Sequence, residues 1–245
     1  MNSGLTSEAI RQEGLKPGIY YVEVYAALPS FISPSVSYTI NLQGTQYINL
    51  NPNFNATYGY GLVNAAAAVA LAVNQVPFAN VPNLGGDSWG NDLVNAPEVW
   101  ARGHTGRGIV VAVIDSGVDI THPDLRSNIW VNTREIPNDG IDNDRNGYID
   151  DLYGWNFGIQ PGNNQGNNNV LPGTPYNDHG THVAGTIAAA RNTFGVTGVA
   201  PDARIMALRL GDVNENGSFI NGGNLASAIR YAVDNGARVI NLSLG

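Results

Sequence analysis

An unbroken run of apolar residues, rich in valine and isoleucine, occupies residues 108–114 near the middle of the chain. A glycine opens the run, and Asp115-Ser-Gly117 ends it. A short apolar run with these boundaries is typical of a parallel strand that is buried on both faces. Such a strand places Asp115 at the carboxyl edge of the sheet, where open α/β sheets bind their ligands. Because a buried carboxylate is costly without a partner, we expect a second polar group to meet Asp115.

Strand and helix patterns alternate through the second half of the chain. Predicted helices cover residues 96–102, 179–191 and 223–235, and predicted strands end at Asp115 or cover residues 203–210 and 238–244. Residues 120–177 are predicted to be irregular. Pro97 favours the first turn of a helix, and Gly236 favours a helix end. The alternation predicts an α/β fold with a doubly wound parallel sheet.

The first third of the chain has a different pattern. Apolar and polar residues alternate over residues 14–42 around a Pro/Ser-rich turn, which favours a β-hairpin. An Ala-rich helix is predicted over residues 61–73, too short to cross a bilayer and expected to pack against a sheet. Prolines and Gly85-Gly86 then mark a linker. We therefore predict a small β-rich, β-sandwich-like segment at 1–50, a helix and linker at 51–86, and the α/β domain at 87–245.

The composition narrows the possible partners. Hydrophobic residues make up 43% of the 245 residues, which suffices for a core, and the net charge is −8. An acidic chain is a poor match for nucleic acid or an anionic membrane, so we expect neither as a partner. The chain has no cysteine, which excludes disulfides and thiol chemistry. The first residues lack the basic segment and apolar core of a secretory signal.

A second informative stretch is Asn177-Asp-His-Gly-Thr-His-Val-Ala-Gly185. His179 stands at a predicted helix start, and His182 follows at i+3 on the same helix face, so a metal pair is conceivable. A His-Glu-x-x-His motif would need glutamate where Gly180 stands. We therefore favour a structural role for His182.

Two of these motifs carry a family resemblance. Val113-Ile-Asp-Ser-Gly-Val-Asp119 and His179-Gly-Thr-His-Val-Ala-Gly185 strongly resemble the Asp and His signatures of the subtilisin-like serine peptidases. Further matches in family order are Asn95-Ala-Pro-Glu-Val-Trp100, His122-Pro-Asp-Leu125, Gly198-Val-Ala-Pro201 and Val239-Ile-Asn-Leu-Ser-Leu-Gly245. The resemblance implies a subtilisin-like fold and a serine endopeptidase. It gives Asp115 the role of orienting His179, and His179 the role of general base.

The nucleophile of that family is not found in this sequence. The family's serine lies in a Gly-Thr-Ser-Met-Ala motif beyond the His, and Gly-Thr-Ser does not occur here. Ser116 follows Asp115 too closely to serve. Ser243, with Leu244 and Gly245, matches instead the family's substrate-binding strand, whose backbone pairs with the peptide.

We therefore expect an amino-terminal piece of a peptidase, with a sheet incomplete at its carboxyl end, that is inactive alone. The complete protein is expected to be monomeric, secreted or extracytoplasmic, and to act on polypeptides. The alternative is a non-catalytic, calcium-binding and peptide-binding module that uses the same cleft.

An acidic stretch between residues 138 and 151 suggests a cation site. Asp142, Asp144 and Asn146 alternate before Gly147, as in the first half of a calcium loop. The Glu that ends an EF-hand would fall at Tyr153, so Asp150 and Asp151 are the expected replacements. The plain alternative is a solvated acidic turn. The density of carboxylates, offset only by Arg145, favours calcium.

The family resemblance implies a second calcium site. Asp124 matches the carboxylate ligand of the family's strong site. The loop at residues 190–196 matches the loop of that calcium site. Asn192 would offer a side-chain oxygen, and Ala190, Phe194 and Val196 would offer carbonyls. Asp87 is a possible further ligand. The structural alternative for Asn192 is an ordinary turn at a helix end.

Two amino-terminal stretches also have resemblances. Leu15-Lys-Pro-Gly-Ile-Tyr-Tyr-Val22 resembles the closing strands of small pre-peptidase β-sandwich domains attached to secreted bacterial peptidases. The stretch at residues 58–69 resembles the helix that closes a subtilisin-like domain after the serine, although here it precedes Asp115. A chance likeness, a duplication relic and a circular rearrangement all remain open.

Overall fold

The computed structural model describes residues 61–159, 166–174, 177–214, 219–220 and 222–244. The predicted hairpin at residues 14–42, the first residues of the 58–69 stretch, and Gly245 lie outside these ranges. The described residues divide into two compact units, the first of residues 61–103 and the second of the described residues from 104 to 244. The predicted domain boundaries at residues 50 and 86 stay predictions.

The described part of the first unit is helical. Helix α1 covers Ala65–Ala72, a 3-10 turn covers Gly86–Ser88, and two short helices follow, α2 at Trp89–Leu93 and α3 at Ala96–Trp100. Asn64 caps α1 by accepting a 2.8 Å hydrogen bond from the amide of Ala67. Helices α1 and α3 lie within the predicted ranges 61–73 and 96–102, whereas α2 was not predicted. Five residues that include Gly90 are too few to give a helical period. Ala66 and Ala70 of α1 pack with Phe78 and with Val99 of α3, rather than against a sheet as expected.

The second unit is built on a parallel four-stranded sheet. Its strands are β1 at Val110–Asp115, β2 at Gly154–Asn156, β3 at Arg204–Arg209 and β6 at Val239–Asn241, in the order β2-β3-β1-β6. Strands β4, Asp212–Val213, and β5, Phe219–Ile220, form a separate antiparallel pair. Two helices accompany the sheet, α4 at His179–Ala188 and α5 at Leu225–Asp234. The α/β class with a parallel sheet is confirmed.

Strand β1 lies inside this sheet and separates two apolar clusters. Ala112 and Ile114 pack in a cluster with Tyr231 of α5, while Val111 and Val113 pack in a cluster with alanines of α4. Alternate side chains of β1 thus face opposite helices, which explains its unbroken apolar sequence. Both faces of the sheet are covered, as in a doubly wound fold.

Three local predictions need correction. Strand β2 lies within the stretch at 120–177 that was predicted to be irregular, because a three-residue Gly-Trp-Asn strand gives no periodic signal. Helix α4 ends at Ala188 rather than residue 191, since Ala189 is extended with ψ 136°. Strand β6 covers only Val239–Asn241 of the predicted 238–244. Within the described part of the chain, none of the helices has the length and apolar character needed to cross a bilayer.

Candidate active site

Asp115 ends β1 at the carboxyl edge of the sheet. It is only 2% exposed, and its main-chain carbonyl accepts a 2.7 Å hydrogen bond from the amide of Leu210, which follows β3. The amide of Ser116 donates to Asp115 Oδ1 at 2.7 Å. The strand therefore holds a buried carboxylate at the edge where the sequence predicted it.

The polar group that meets this carboxylate is His179, the first residue of α4. Its Nδ1 atom lies 2.9 Å from Asp115 Oδ1 and 3.0 Å from Oδ2. The carboxylate is buried, whereas the histidine side chain is 50% exposed. The contact ties one ring nitrogen to the carboxylate and leaves part of the ring at the surface, an arrangement suited to a base that takes a proton from a bound partner.

Two glycines permit close packing around the end of β1, Gly180 of α4 against Gly117 and Gly117 against Leu171. A Cβ atom on Gly180 would lie 2.3 Å from the Gly117 carbonyl oxygen and 2.9 Å from Asp115 Oδ1. Gly117 has φ +108°, and a Cβ atom there would lie 2.9 Å from the Leu171 carbonyl. The small residue after His179 is therefore required for His179 to reach Asp115.

His182 is exposed on α4 and lies outside any cluster of metal-ligating side chains in the described ranges. The one such cluster there has three members, Glu135, Asp144 and Asp151, with one oxygen from each lying within 4.8 Å of the others. Asp144 and Asp151 were predicted ligands, whereas Glu135 was not. Glu135 stands outside the alternating motif and only the folded loop brings it near.

The other residues of the acidic loop shape its backbone. Asp142 Oδ2 accepts from the amide of Gly147 at 2.8 Å, and Asp142 Oδ1 accepts from the amide of Asn146 at 3.0 Å. Asp150 accepts from the amides of residues 139 and 140 at 3.2 and 3.1 Å. Asn146 Nδ2 donates to Asp151 Oδ2 at 2.9 Å. The structure thus brings Asp144 and Asp151 together and turns Asp142 and Asp150 toward main-chain donors.

Asp151 links the acidic loop to the core. It is fully buried and accepts a 2.6 Å hydrogen bond from the Tyr231 hydroxyl and a 2.8 Å bond from Asn132 Nδ2. Burial raises the pKa of Asp151, and the hydrogen bond from Tyr231 partly opposes that rise. Burial raises the pKa of Tyr231 as well, and the neighbouring charge of Asp151 adds to it. A carboxylate in this setting gains from a nearby cation.

The second predicted metal loop lies against Asp124, which is 3% exposed. Asp124 Oδ1 accepts a 2.9 Å bond from Asn192 Nδ2, and Oδ2 accepts a 2.9 Å bond from the amide of Val196. The amide of Phe194 donates to Asn192 Oδ1 at 2.6 Å, and the Ala190 amide donates to the Asp124 carbonyl at 2.8 Å. Asp124 and the loop at 190–196 are thus brought together, with the amide nitrogen of Asn192 toward the carboxylate.

The predicted substrate strand follows β6. Ser243 Oγ accepts a 3.0 Å hydrogen bond from Asn241 Nδ2, and Leu244 packs against the apolar cluster on the α5 side. Both residues are partly buried. β6 pairs with β1 alone in the sheet, so its other edge is open in the described part of the chain.

The geometry of the Asp115–His179 pair agrees with the family comparison. The profile of the family described as "Peptidase_S8: Subtilase family" matches residues 106–245. The chain belongs to the subtilase family. Subtilases are serine endopeptidases. The match covers the whole sheet from β1 to β6, helix α4 with His179, and the acidic loop.

Individual subtilases are also similar to this chain. The "Major intracellular serine protease" of Bacillus subtilis is 37% identical over 160 residues, which cover 64% of this chain and 40% of that protein. "Subtilisin Savinase" of Lederbergia lenta is 37% identical over 157 residues, covering 64% of this chain and 45% of that protein.

Among solved structures, the Aeromonas sobria serine protease, in a complex with the chaperone ORF2, has a TM-score of 0.41 and 29% identity. The similarity covers 60% of this chain and 20% of that one. This subtilase chain thus spans less than half the length of these relatives.

Proposed function

We propose that this chain supplies the Asp–His part of a subtilisin-like serine endopeptidase active site. Asp115 would accept a hydrogen bond from His179 Nδ1–H, fixing the ring tautomer and stabilising the imidazolium. His179 would take the proton of a serine hydroxyl through Nε2 and return it to the leaving amine. The observation that carries this proposal is the 2.9 Å contact between the buried carboxylate and the half-exposed ring. Polypeptides are the proposed substrates.

The proposal includes a serine outside these 245 residues as the nucleophile. The family's Gly-Thr-Ser-Met-Ala motif does not occur in the sequence. Ser116 is fully buried, and its hydroxyl is already bonded to main-chain groups on both sides of His179, which argues against attack on a substrate. Residues 243–245 are proposed to pair with the peptide as an added strand. Without the serine, we expect this chain alone to be inactive.

We also propose that calcium stabilises the protein at the acidic loop. Glu135, Asp144 and Asp151 carry three negative charges in one cluster, with Arg134 bonded to Asp144 at 2.9 Å as a partial offset. Hard carboxylate oxygens from buried and half-buried positions fit a calcium ion, whose charge would relieve their repulsion. Asp142, Asn146 and Asp150 would then shape the loop around the ion.

The Asp124 site fits a cation less directly. Its carboxylate is buried, and a Cβ atom on Gly195 would lie 2.3 Å from Asp124 Oδ2, so the loop leaves room for nothing larger than glycine there. Asn192 would have to turn its amide to present oxygen, because its nitrogen now faces Asp124. We propose a second calcium site that forms when the Asn192 amide rotates. Its ligands would be Asp124, Asn192 and the carbonyls of residues 190, 194 and 196.

The proposed arrangement of the whole protein has a β-sandwich-like segment at 1–50, a linker region at 51–86 and the peptidase domain from 87. A secreted or extracytoplasmic location is part of the proposal. The name of one relative, the Major intracellular serine protease, places that protein inside the cell, so the location requires its own test by fractionation.

Fluorophosphonate labelling of the complete protein that includes the serine tests the function. We expect labelling of the wild type and loss of labelling in His179→Ala, because the serine loses its base. The control is His182→Ala, which removes an exposed histidine from the same helix and should label normally. Normal labelling in His179→Ala would contradict the assigned base. A wild type that never labels would favour the calcium-binding, peptide-binding module.

A further inference from the structure

Contacts within helix α4 do not account for the placement of the His179 ring opposite Asp115. His179 is the first residue of α4, and the preceding Asp178 makes no side-chain cap to the helix. Half of the His179 side chain is exposed, so packing around the ring restrains it little. Something else must set the start of α4 against the end of β1 if the ring is to meet Asp115 reproducibly.

Ser116 joins the end of β1 to the start of α4. It is fully buried and directly follows Asp115, and its hydroxyl donates to the main-chain carbonyl of Asn177 at 3.3 Å. The same hydroxyl oxygen accepts from the amide of Gly180 at 3.3 Å. Asn177 and Gly180 flank His179 in the sequence. The Ser116 side chain therefore binds the main chain on both sides of His179 and holds it beside Asp115.

Asn177 extends the contact to a buried ion pair. It is fully buried, and its Nδ2 donates to Asp212 Oδ1 at 2.8 Å. The guanidinium of Arg209 donates to the same oxygen of Asp212. The side chains of Arg209 and Asp212 are 7% and 13% exposed. Arg209 Nη1 also donates to the Leu171 carbonyl at 3.0 Å. Because Leu171 lies against Gly117, the pair contacts both the segment beside Gly117 and the residue Asn177 that precedes α4.

We propose that Ser116 and Asn177 are positioning residues that hold His179 opposite Asp115, with the Arg209–Asp212 ion pair as their anchor. The inference rests on the proposed role of His179 as the base. Neither side chain touches the reacting atoms. Each acts on the placement of the ring, where a shift of about 1 Å is enough to lower the rate strongly.

The test follows the His179 Nδ1 proton in the full chain by NMR after 15N labelling of histidine. The hydrogen bond to Asp115 protects this proton from exchange with water. In Ser116→Ala we expect exchange to be faster by about tenfold, the factor that corresponds to one lost hydrogen bond. Asn177→Ala should act in the same direction. If Ser116→Ala does not fold, Ser116→Cys keeps a side chain of the same shape with a slightly larger atom. Its thiol is a weak donor and a weak acceptor, so both bonds weaken and exchange should show the same acceleration.

The matched control is Thr105→Val, which removes one hydroxyl from the same unit. Thr105 Oγ1 donates to Asp202 Oδ2 at 2.5 Å, apart from the histidine, so exchange should stay at the wild-type rate. Unchanged exchange in the folded Ser116 variant, or equal acceleration in Thr105→Val, would overturn the proposal. Unchanged exchange in Asn177→Ala would remove Asn177 from it.

Kinetics on the complete protein separate the two proposals. There Ser116→Ala should lower kcat by about tenfold and leave KM within about twofold, as expected for a misplaced base. If the proposed peptidase activity itself is wrong, no rate is measured, but the proton-exchange result still decides the positioning role. Fast exchange with unchanged kcat would overturn the functional part of the inference.

Discussion

Individual glycines determine how closely helix α4 can approach Asp115. Gly180 and Gly185 both lie in α4, yet their surroundings differ completely. A Cβ atom on Gly180 would collide with the Gly117 carbonyl oxygen at 2.3 Å, whereas a Cβ atom on Gly185 meets nothing within 4 Å. Helix propensity alone would favour alanine at both positions. The difference between them therefore isolates the packing requirement of the Asp115–His179 contact.

We predict that Gly180→Ala destabilises the chain by about 1–3 kcal/mol, the usual cost of overpacking, and disrupts the Asp115–His179 contact. Gly185→Ala is the matched control and should be neutral or stabilise by up to about 1 kcal/mol. Thermal unfolding measures the stability, and the His179 Nδ1–H signal reports the contact. Equal stability in the two variants would refute the close approach described at Gly180.

The two long helices of the second unit begin differently. α5 is capped by Asn224, whose Oδ1 accepts a 3.0 Å hydrogen bond from the amide of Ser227, and Gly236 with φ +85° follows its end. α4 begins at His179 without a side-chain cap. The capped helix thus has its start fixed locally. The start of α4 is instead held to the segment after β1, by Ser116 and by Thr181, whose Oγ1 accepts a 2.9 Å hydrogen bond from the amide of Asp119.

Replacement of the α5 cap, Asn224→Ala, should lower the free energy of unfolding by about 1 kcal/mol. The cause is an amide at the helix start that loses its acceptor. Asn224→Ser keeps an acceptor at the same place and should stay within a few tenths of a kcal/mol of the wild type. Chemical denaturation of the three proteins measures the difference. A loss in the serine variant as large as in the alanine variant would contradict the capping role.

At the scale of the whole molecule, the acidic loop is joined to the main core by the packing of Tyr148 and by a hydrogen bond from Tyr231. Tyr231 belongs to the apolar cluster between α5 and the sheet, and its hydroxyl donates to Asp151. Any ion that draws Asp151, Asp144 and Glu135 together would therefore stabilise the loop and, through Tyr231, the core beneath it. Binding to the folded state alone raises its apparent stability.

We predict that chelation of calcium lowers Tm by about 5–10 °C, the shift expected if the ion is present at about 100 times its Kd. Asp144→Asn should lower Tm in calcium and shrink the response to chelator. Asp234→Asn, which removes the same charge from an exposed position at the end of α5, is the control and should respond like the wild type. Asp124→Asn tests the second site in the same way. A wild type that is insensitive to chelator would argue against structural calcium.

The parallel α/β fold, the place of Asp115 and the helix that carries His179 could all be predicted from the sequence. These follow from local signals, an apolar run that ends on a carboxylate and a helix start rich in small residues, so neighbouring residues suffice to specify them. Strands as short as β2 give no such signal, and their pairing with β3 depends on the fold.

Contacts between residues far apart in the chain could not be predicted from local patterns and depend on the folded structure. Glu135 joins Asp144 and Asp151 because the loop folds back, and Tyr231 reaches Asp151 from 80 positions away in the chain. The link from Ser116 to Asn177 and on to Arg209 likewise crosses three separate segments. The residue types at positions 115 and 179 set the chemistry that the pair can perform. The distance between Asp115 and His179 is set by main-chain packing at Gly117 and Gly180, which no local pattern encodes.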